Sequence, residues 1–225
     1  MKKVVKLWVD IALALLLIFQ MPYILVGEKI HEWLGVIFLI LILVHVKLNQ
    51  AAFLAMFRRF WSSASRLANC LITSLAAASF IGLLISAPFI SKFVLSFLHI
   101  SGGAAFGRTA HLLCAYWGLV FFSLHLGLHL DKALGLARFG SGSPAASKSL
   151  AAAAPIVTVL AVAFGLKAFL ANHIGAYLFL RQQFVFFDFE APLWKILADN
   201  LFMMAAFAAL AFWLRRLLRF RRSRP

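Results

Sequence analysis

"HEWLGVIFLILILVH" runs from His31 to His45 and places two imidazoles 14 positions apart with almost only aliphatic side chains between them. A run this apolar reads as a helix in lipid, since about 20 such residues cross a bilayer. A second stretch, "HLLCAYWGLVFFSLH", repeats the spacing from His111 to His125. The composition agrees with a membrane protein. The chain has 225 residues, of which 64% are hydrophobic and 13% charged. Soluble domains average about half apolar and a quarter charged, so the excess here needs lipid as its solvent.

The apolar runs predict an all-α integral membrane protein with six transmembrane helices, at 5–26, 31–50, 67–88, 109–130, 151–171 and 193–214. The first four are expected to form a four-helix bundle within a module at 1–135. A cytoplasmic linker at 136–150, containing "GSGSPAAS", then leads to a two-helix module at 151–225 with a basic tail. The N-terminal "MKK" and the apolar run behind it resemble a signal peptide. No small-x-small cleavage site follows, so a retained first span is expected. Segment 51–66 mixes apolar and basic residues, as a short interfacial helix would. Segment 89–108 reads as an interfacial piece plus a turn at Gly102-Gly103, and Pro155 suits the first turn of the fifth span.

The net charge is +15. With six spans, only Lys29, Lys92, Arg108, Lys167, Arg181 and Lys195 fall toward the second face; the other sixteen of the 22 basic residues fall on the side of the termini. The positive-inside rule then puts both termini in the cytoplasm of a bacterial inner-membrane protein. The charge sits against anionic lipid, and no nucleic-acid partner is needed to explain it. Cys70 and Cys114 fall toward opposite faces and are not expected to pair. The absence of C-x-x-C-H excludes a covalently attached c-type haem.

The second and fourth spans run in the same direction. His31 and His111 therefore share one depth, near the outer face, and His45 and His125 share another, near the inner face. Fourteen residues of helix rise roughly 21 Å, and in a left-handed bundle with a period near 3.5 they return to the same face. Two stacked sites inside a four-helix bundle follow. Haem iron accepts axial imidazoles, so the spacing suits one haem at His31 and His111 and another at His45 and His125. A lone histidine in a span is more often an interhelical hydrogen-bonding residue than a ligand. Two equal spacings on parallel spans are what raise the metal reading above that one. His129, one turn beyond His125 in "LHLGLH", is the alternative inner ligand. An i, i+4 histidine pair is also half a zinc site, but the glutamate of a zinc hydrolase is missing between them. His99 and His173 fall in outer segments and are expected to be solvated.

Other residues fit the same picture. Gly35 and Gly118 follow His31 and His111 by one and two turns and leave room for a ring or a helix. Lys29 and Arg108 at the outer entrance, and Lys47 and Lys132 at the inner one, suit haem propionates, although ordinary flanking anchors look the same. Asp10 enters the first span early and is expected to reach the cytoplasmic interface.

"GEKIHEWLGVIFLILILVHVKLN" (27–49) and "SGGAAFGRTAHLLCAYWGLVFFSLHLGLH" (101–129) resemble a bacterial membrane-protein family known only as a domain of unknown function. That resemblance extends to "GAYLFLRQQFVFFDFEAP" (175–192). The histidine layout is similar to that of di-haem membrane cytochromes b, such as the formate dehydrogenase gamma subunit. The likeness covers spans one to four and implies His31 with His111 at the outer haem and His45 with His125 at the inner.

The expected function is transmembrane electron transfer through two b-type haems. No nucleophile, carboxylate dyad or phosphate loop points to chemistry of its own, so an electron-transfer subunit of an oxidoreductase system is expected. Candidate partners are the bilayer, a quinone, a soluble flavin or metal redox protein, and a further copy of the chain. Two other classes compete: a proton or metal-ion transporter using the histidines, and a cofactor-free structural subunit.

Overall fold

The computed structural model describes the backbone at residues 2–58, 60–141, 144–186 and 189–222, and the side chains at 3–58, 60–131, 153–186 and 189–218. The apolar runs all fold as helices, and no strand occurs among the described residues. Among the described residues, eight α-helices follow one another: α1 (Lys2–Gln20), α2 (Tyr23–Val26), α3 (Glu28–Arg58), α4 (Ala64–Ser86), α5 (Ala104–Ser141), α6 (Pro144–Ala171), α7 (Ile174–Leu178) and α8 (Leu193–Arg222). Five stretches among these residues are long and apolar enough to cross a membrane: Glu28–Arg58, Ala64–Phe89, Ala104–Asp131, Ala153–Ala171 and Leu193–Leu218. This is a multi-pass membrane architecture.

The helix boundaries differ from the sequence expectation in several places; the first span, expected at 5–26, stops at Gln20 and resumes as the short α2. Nothing between Asn49 and Arg58 breaks a helix, so 51–58 continues α3 to a length of 31 residues and does not form a separate interfacial piece. Ser63 then caps α4, its extended backbone letting Oγ accept the Arg66 N–H at 3.3 Å. Pro155 lies inside α6, which starts at Pro144. The Ala/Ser-rich stretch ahead of it extends the helix upstream, and Pro155 leaves the Ala151 carbonyl without its usual helical donor. The linker expected at 136–150 falls on residues whose side chains lie outside the described set, as does Lys132.

The helix α1 has 19 residues and runs antiparallel to α3 along most of its length. Lys6 Nζ donates to Asn49 Oδ1 at 3.1 Å and Asp10 meets His45 at one end. Tyr23, just beyond α1, meets the His31 ring edge to face at 5.7 Å near the other. The α4 and α5 helices form a second antiparallel pair, stitched by Thr73 to His125 and by Ser86 to His111. Between them, the loop after α4 turns at Gly102 (φ 89°) and Gly103 (φ 72°), a left-handed geometry that favours glycine.

The two pairs meet through Phe38 of α3, which contacts Phe80 of α4 and Phe122 of α5 edge to face, each at 6.0 Å. Behind α5 lies α8. A Cβ at Gly127 would run into the Ala208 backbone, so glycine is what lets these two helices touch. Tyr177 of α7 stacks on Tyr116 at 4.6 Å, and Trp117 Nε1–H donates to the Leu178 carbonyl at 3.0 Å. One buried apolar cluster joins Leu17 and Ile18 of α1, Phe38, Leu119 and Val120 of α5, Ala168 of α6, and Met203 and Met204 of α8.

Candidate functional site

Four histidines from α3 and α5 meet as two pairs. The rings of His31 and His111 lie 6.2 Å apart, centre to centre, at 68°. Those of His45 and His125 lie 6.2 Å apart at 73°. Phe38 marks the midpoint, seven residues from His31 and seven from His45. With Phe80 and Phe122 it forms an aromatic layer between the two levels.

The separation has a chemical meaning. An imidazole nitrogen lies about 1.1 Å from its ring centre and a metal–imidazole bond is about 2.0–2.1 Å, so two rings on opposite sides of one metal have centres about 6.2–6.4 Å apart. A direct N–H···N hydrogen bond between the rings would bring the centres to about 5.1 Å. An unmetallated edge-to-face contact spans a wide range that includes 6.2 Å, so distance alone is compatible with both. The hydrogen bonds to Nδ1 show which ring nitrogens are already engaged.

His45 Nδ1 donates to Asp10 Oδ1 at 2.7 Å; a carboxylate only accepts, so the proton is on Nδ1. Ser86 uses its one hydroxyl proton on the Leu83 carbonyl at 3.1 Å, so its oxygen accepts from His111 Nδ1, also at 3.1 Å. His125 Nδ1 shares a 3.0 Å hydrogen bond with Thr73 Oγ1. His31 Nδ1 is buried and has no hydrogen-bond partner among the described residues. Three of the four rings are thus engaged from the Nδ1 side by an oxygen on a different helix. For His45 and His111 this leaves Nε2 as a bare lone pair. Ligating histidines are commonly oriented in this way.

The inner pair opens on a cavity of about 1910 Å³ between α1, α3, α4, α5 and α8. His45, His125, His129, Asp10 and Thr73 line it, and Phe38, Phe80 and Phe122 close it toward the outer pair. Lys3, Lys6, Arg66 and Arg215 also line it, giving a basic fringe where carboxylates could be received. The residues present fit a haem: two facing imidazoles, an apolar chamber and cations at its margin.

The other predicted residues are placed as follows. His129 lies 4.8 Å from His125, ring to ring, and lines the cavity beside it. Lys29, Arg108 and Lys47 are exposed, and Lys47 does not line the cavity. A Cβ at Gly35 would meet only the Gln20 amide at 3.4 Å, whereas one at Gly118 would press on the Phe122 ring at 3.2 Å. Gly118 thus makes room for the Phe122 ring of its own helix. His99 and His173 are exposed and both adopt left-handed backbone. Cys70 and Cys114 are free thiols.

Asp10, Thr73 and Ser86 are absent from the sequence-based set. For Thr73 and Ser86 no local signal marks them, because hydroxyls are ordinary in membrane helices. Asp10 carried a signal, a lone carboxylate in an apolar helix. Its partner is not the interface but His45. Comparison with protein-family models, curated proteins and solved structures finds no match.

Proposed function

We propose that the chain is a six-span membrane protein that carries two b-type haems and passes electrons between its two faces. In this reading α1 is the sixth span, its Lys2, Lys3 and Lys6 at the cytoplasmic interface and its Asp10 directed inward. His31 and His111 hold the outer haem; His45 and His125 hold the inner one. The two histidines of each level would hold a haem, which would supply a one-electron couple suited to electron transfer rather than oxygen binding. The residues of the chain hold, orient and insulate. Nδ1 partners orient His45, His111 and His125, the phenylalanine layer separates the levels, and Lys3, Arg66 and Arg215 would meet the inner propionates. The basic tail and the cytoplasmic placement of both termini follow from the charge asymmetry in the sequence. A quinone or a soluble redox protein at one face and an acceptor at the other complete the path.

The observation that carries this reading is the equal 6.2 Å separation of two histidine pairs, with three of the four rings engaged at Nδ1 by other helices. It favours haem over a bare transported ion. An ion such as zinc takes three or four protein ligands, and no group of three or more His, Cys, Asp or Glu side chains forms a candidate metal site among the described residues. A porphyrin provides four equatorial nitrogens and needs only two imidazoles. The aromatic layer also interrupts any polar relay between the levels, which counts against a histidine proton wire.

Reduced-minus-oxidised visible spectra of the purified protein test the proposal. Two haems per chain are expected, with low-spin b-type bands. A colourless protein after expression with ample haem refutes it. Metal-dependent flux from that colourless protein in vesicles would favour the transporter.

A further inference from the structure

We propose that Asp10 makes the two levels electronically unequal and gives the His45–His125 site the lower reduction potential. This rests on the two-haem reading above. Among the described residues, His45 is the one ligand histidine with a carboxylate at Nδ1, Asp10 Oδ1 at 2.7 Å. His111 and His125 have neutral hydroxyl oxygens there, from Ser86 and Thr73, and His31 Nδ1 has no hydrogen-bond partner.

The difference matters because Nδ1 and Nε2 share one π-system. A neutral acceptor fixes the ring and withdraws little proton density. A carboxylate in a weakly polar surround draws the Nδ1 proton toward itself and leaves partial anionic character on the ring. The more basic Nε2 then donates more strongly to iron and favours the ferric state, which lowers the potential. Asp10 itself adds a negative charge beside the site with the same sign of effect.

Lys3, Arg66 and Arg215 at the margin of the cavity would pair with the carboxylates of a bound haem, which offset their charge. Lys6, one turn before Asp10, directs its ammonium to Asn49 Oδ1 at 3.1 Å. The outer level has an acid nearby in Glu32, but its hydrogen bonds go to the loop after α4 and not to a histidine ring. It accepts the N–H groups of Lys92, Phe93 and Val94, and the Ser91 hydroxyl at 2.6 Å. The exposed part of Asp10 and of His45 faces the cavity that both line. A macrocycle filling that cavity would cover the pair and strengthen the interaction. The resulting bias runs from the inner site to the outer one, so an electron shared between them rests at the His31–His111 level.

Potentiometric titration of the haem-loaded protein in lipid nanodiscs, followed by visible absorption, tests this. Two one-electron transitions are expected in the wild type. His45→Ala removes the lower and His31→Ala the higher. Asp10→Asn raises the lower midpoint and leaves the higher in place, and Asp10→Glu brings it back. Should Asp10→Asn fail to hold the inner haem, the two histidine variants still assign the order. The proposal falls if His45→Ala removes the higher transition, or if Asp10→Asn keeps both haems with both midpoints unchanged. Wild-type protein without haem bands would instead sink the two-haem reading itself.

Discussion

Ser86 accepts the Nδ1 proton of His111, because its own hydroxyl proton is committed to the Leu83 carbonyl. One hydroxyl on α4 thereby fixes the tautomer of a ring on α5. The same result arises at His45 by a different route, through the Asp10 carboxylate on α1. Two levels of one bundle reach the same protonation state with unlike chemistry, which makes them separately addressable by substitution.

In the two-haem reading, replacing one histidine of a pair takes one ligand from one level only. His31→Ala or His111→Ala is expected to lower the haem content from about two per chain to about one, and so are His45→Ala and His125→Ala. Pyridine haemochrome assay against protein concentration measures this. Retention of both haems in all four variants would refute the ligand assignment.

Ser86→Ala deletes the acceptor that orients His111 and leaves a buried N–H without its partner. Outer-level haem affinity should fall by about 10–100-fold, the usual effect of losing an outer-shell contact. Haem transfer to an apo-acceptor protein reads the loss rate. An unchanged rate would remove Ser86 from the site.

His129 competes with His125 for the inner role on sequence grounds. The geometry pairs His125 with His45 and gives it the Thr73 contact. His129→Ala is therefore expected to keep two haems, and His125→Ala to lose one. The reverse pattern in haem stoichiometry would move the ligand one turn along α5.

How much of this could be read from the sequence divides along chain distance. The helices, and the 14-residue gaps that bring His31 to His111 and His45 to His125, depend on periodicity within one helix, which is visible in order along the chain. The extent of α3 past Asn49 and the position of Pro155 within α6 were not visible, because composition marks where a helix is apolar better than where it stops. The Nδ1 partners were hidden for a deeper reason. Asp10 and His45 are 35 residues apart, and Thr73 and His125 are 52 apart. Their meeting depends on the rotation of one helix about its axis against another, which no spacing on a single helix encodes. The basic lining of the inner cavity was missed likewise. Lys47 is two residues from His45 yet does not line the chamber, whereas Lys3, Lys6, Arg66 and Arg215 reach it from other helices.

Gly127 sits where α5 and α8 touch, backbone to backbone. Gly127→Leu must push the helices apart, since the obstacle is the Ala208 main chain and not a side chain that can rotate. A loss of about 1–3 kcal/mol or more is expected from such overpacking. Thermal unfolding in detergent, followed by circular dichroism, should show a lower midpoint. An unchanged midpoint would mean that α8 does not need this contact.

Glu32 clasps the loop after α4 by accepting three consecutive backbone N–H groups and the Ser91 hydroxyl. Beside it, Glu28 hydrogen-bonds Lys92 at 2.7 Å and holds that ammonium above the usual lysine range. Glu32→Ala should speed amide exchange at 92–94 by about tenfold or more, since bonds to a charged acceptor contribute about 1.5–3 kcal/mol. Hydrogen–deuterium exchange with mass spectrometry measures it; exchange at the wild-type rate would show that the loop is held by other contacts.

The spacing of the two histidine levels also fixes an electrical quantity. Fourteen residues of helix cover about 21 Å of a hydrocarbon layer about 30 Å thick, or roughly two thirds of the voltage drop. For an electron moving between the levels, a membrane potential of 100 mV would change the free energy by about 1.6 kcal/mol. In the two-haem reading the distance from His31 to His45 is thus a lever arm, and transfer between the levels would be electrogenic: its equilibrium would tilt with the energised state of the membrane around it.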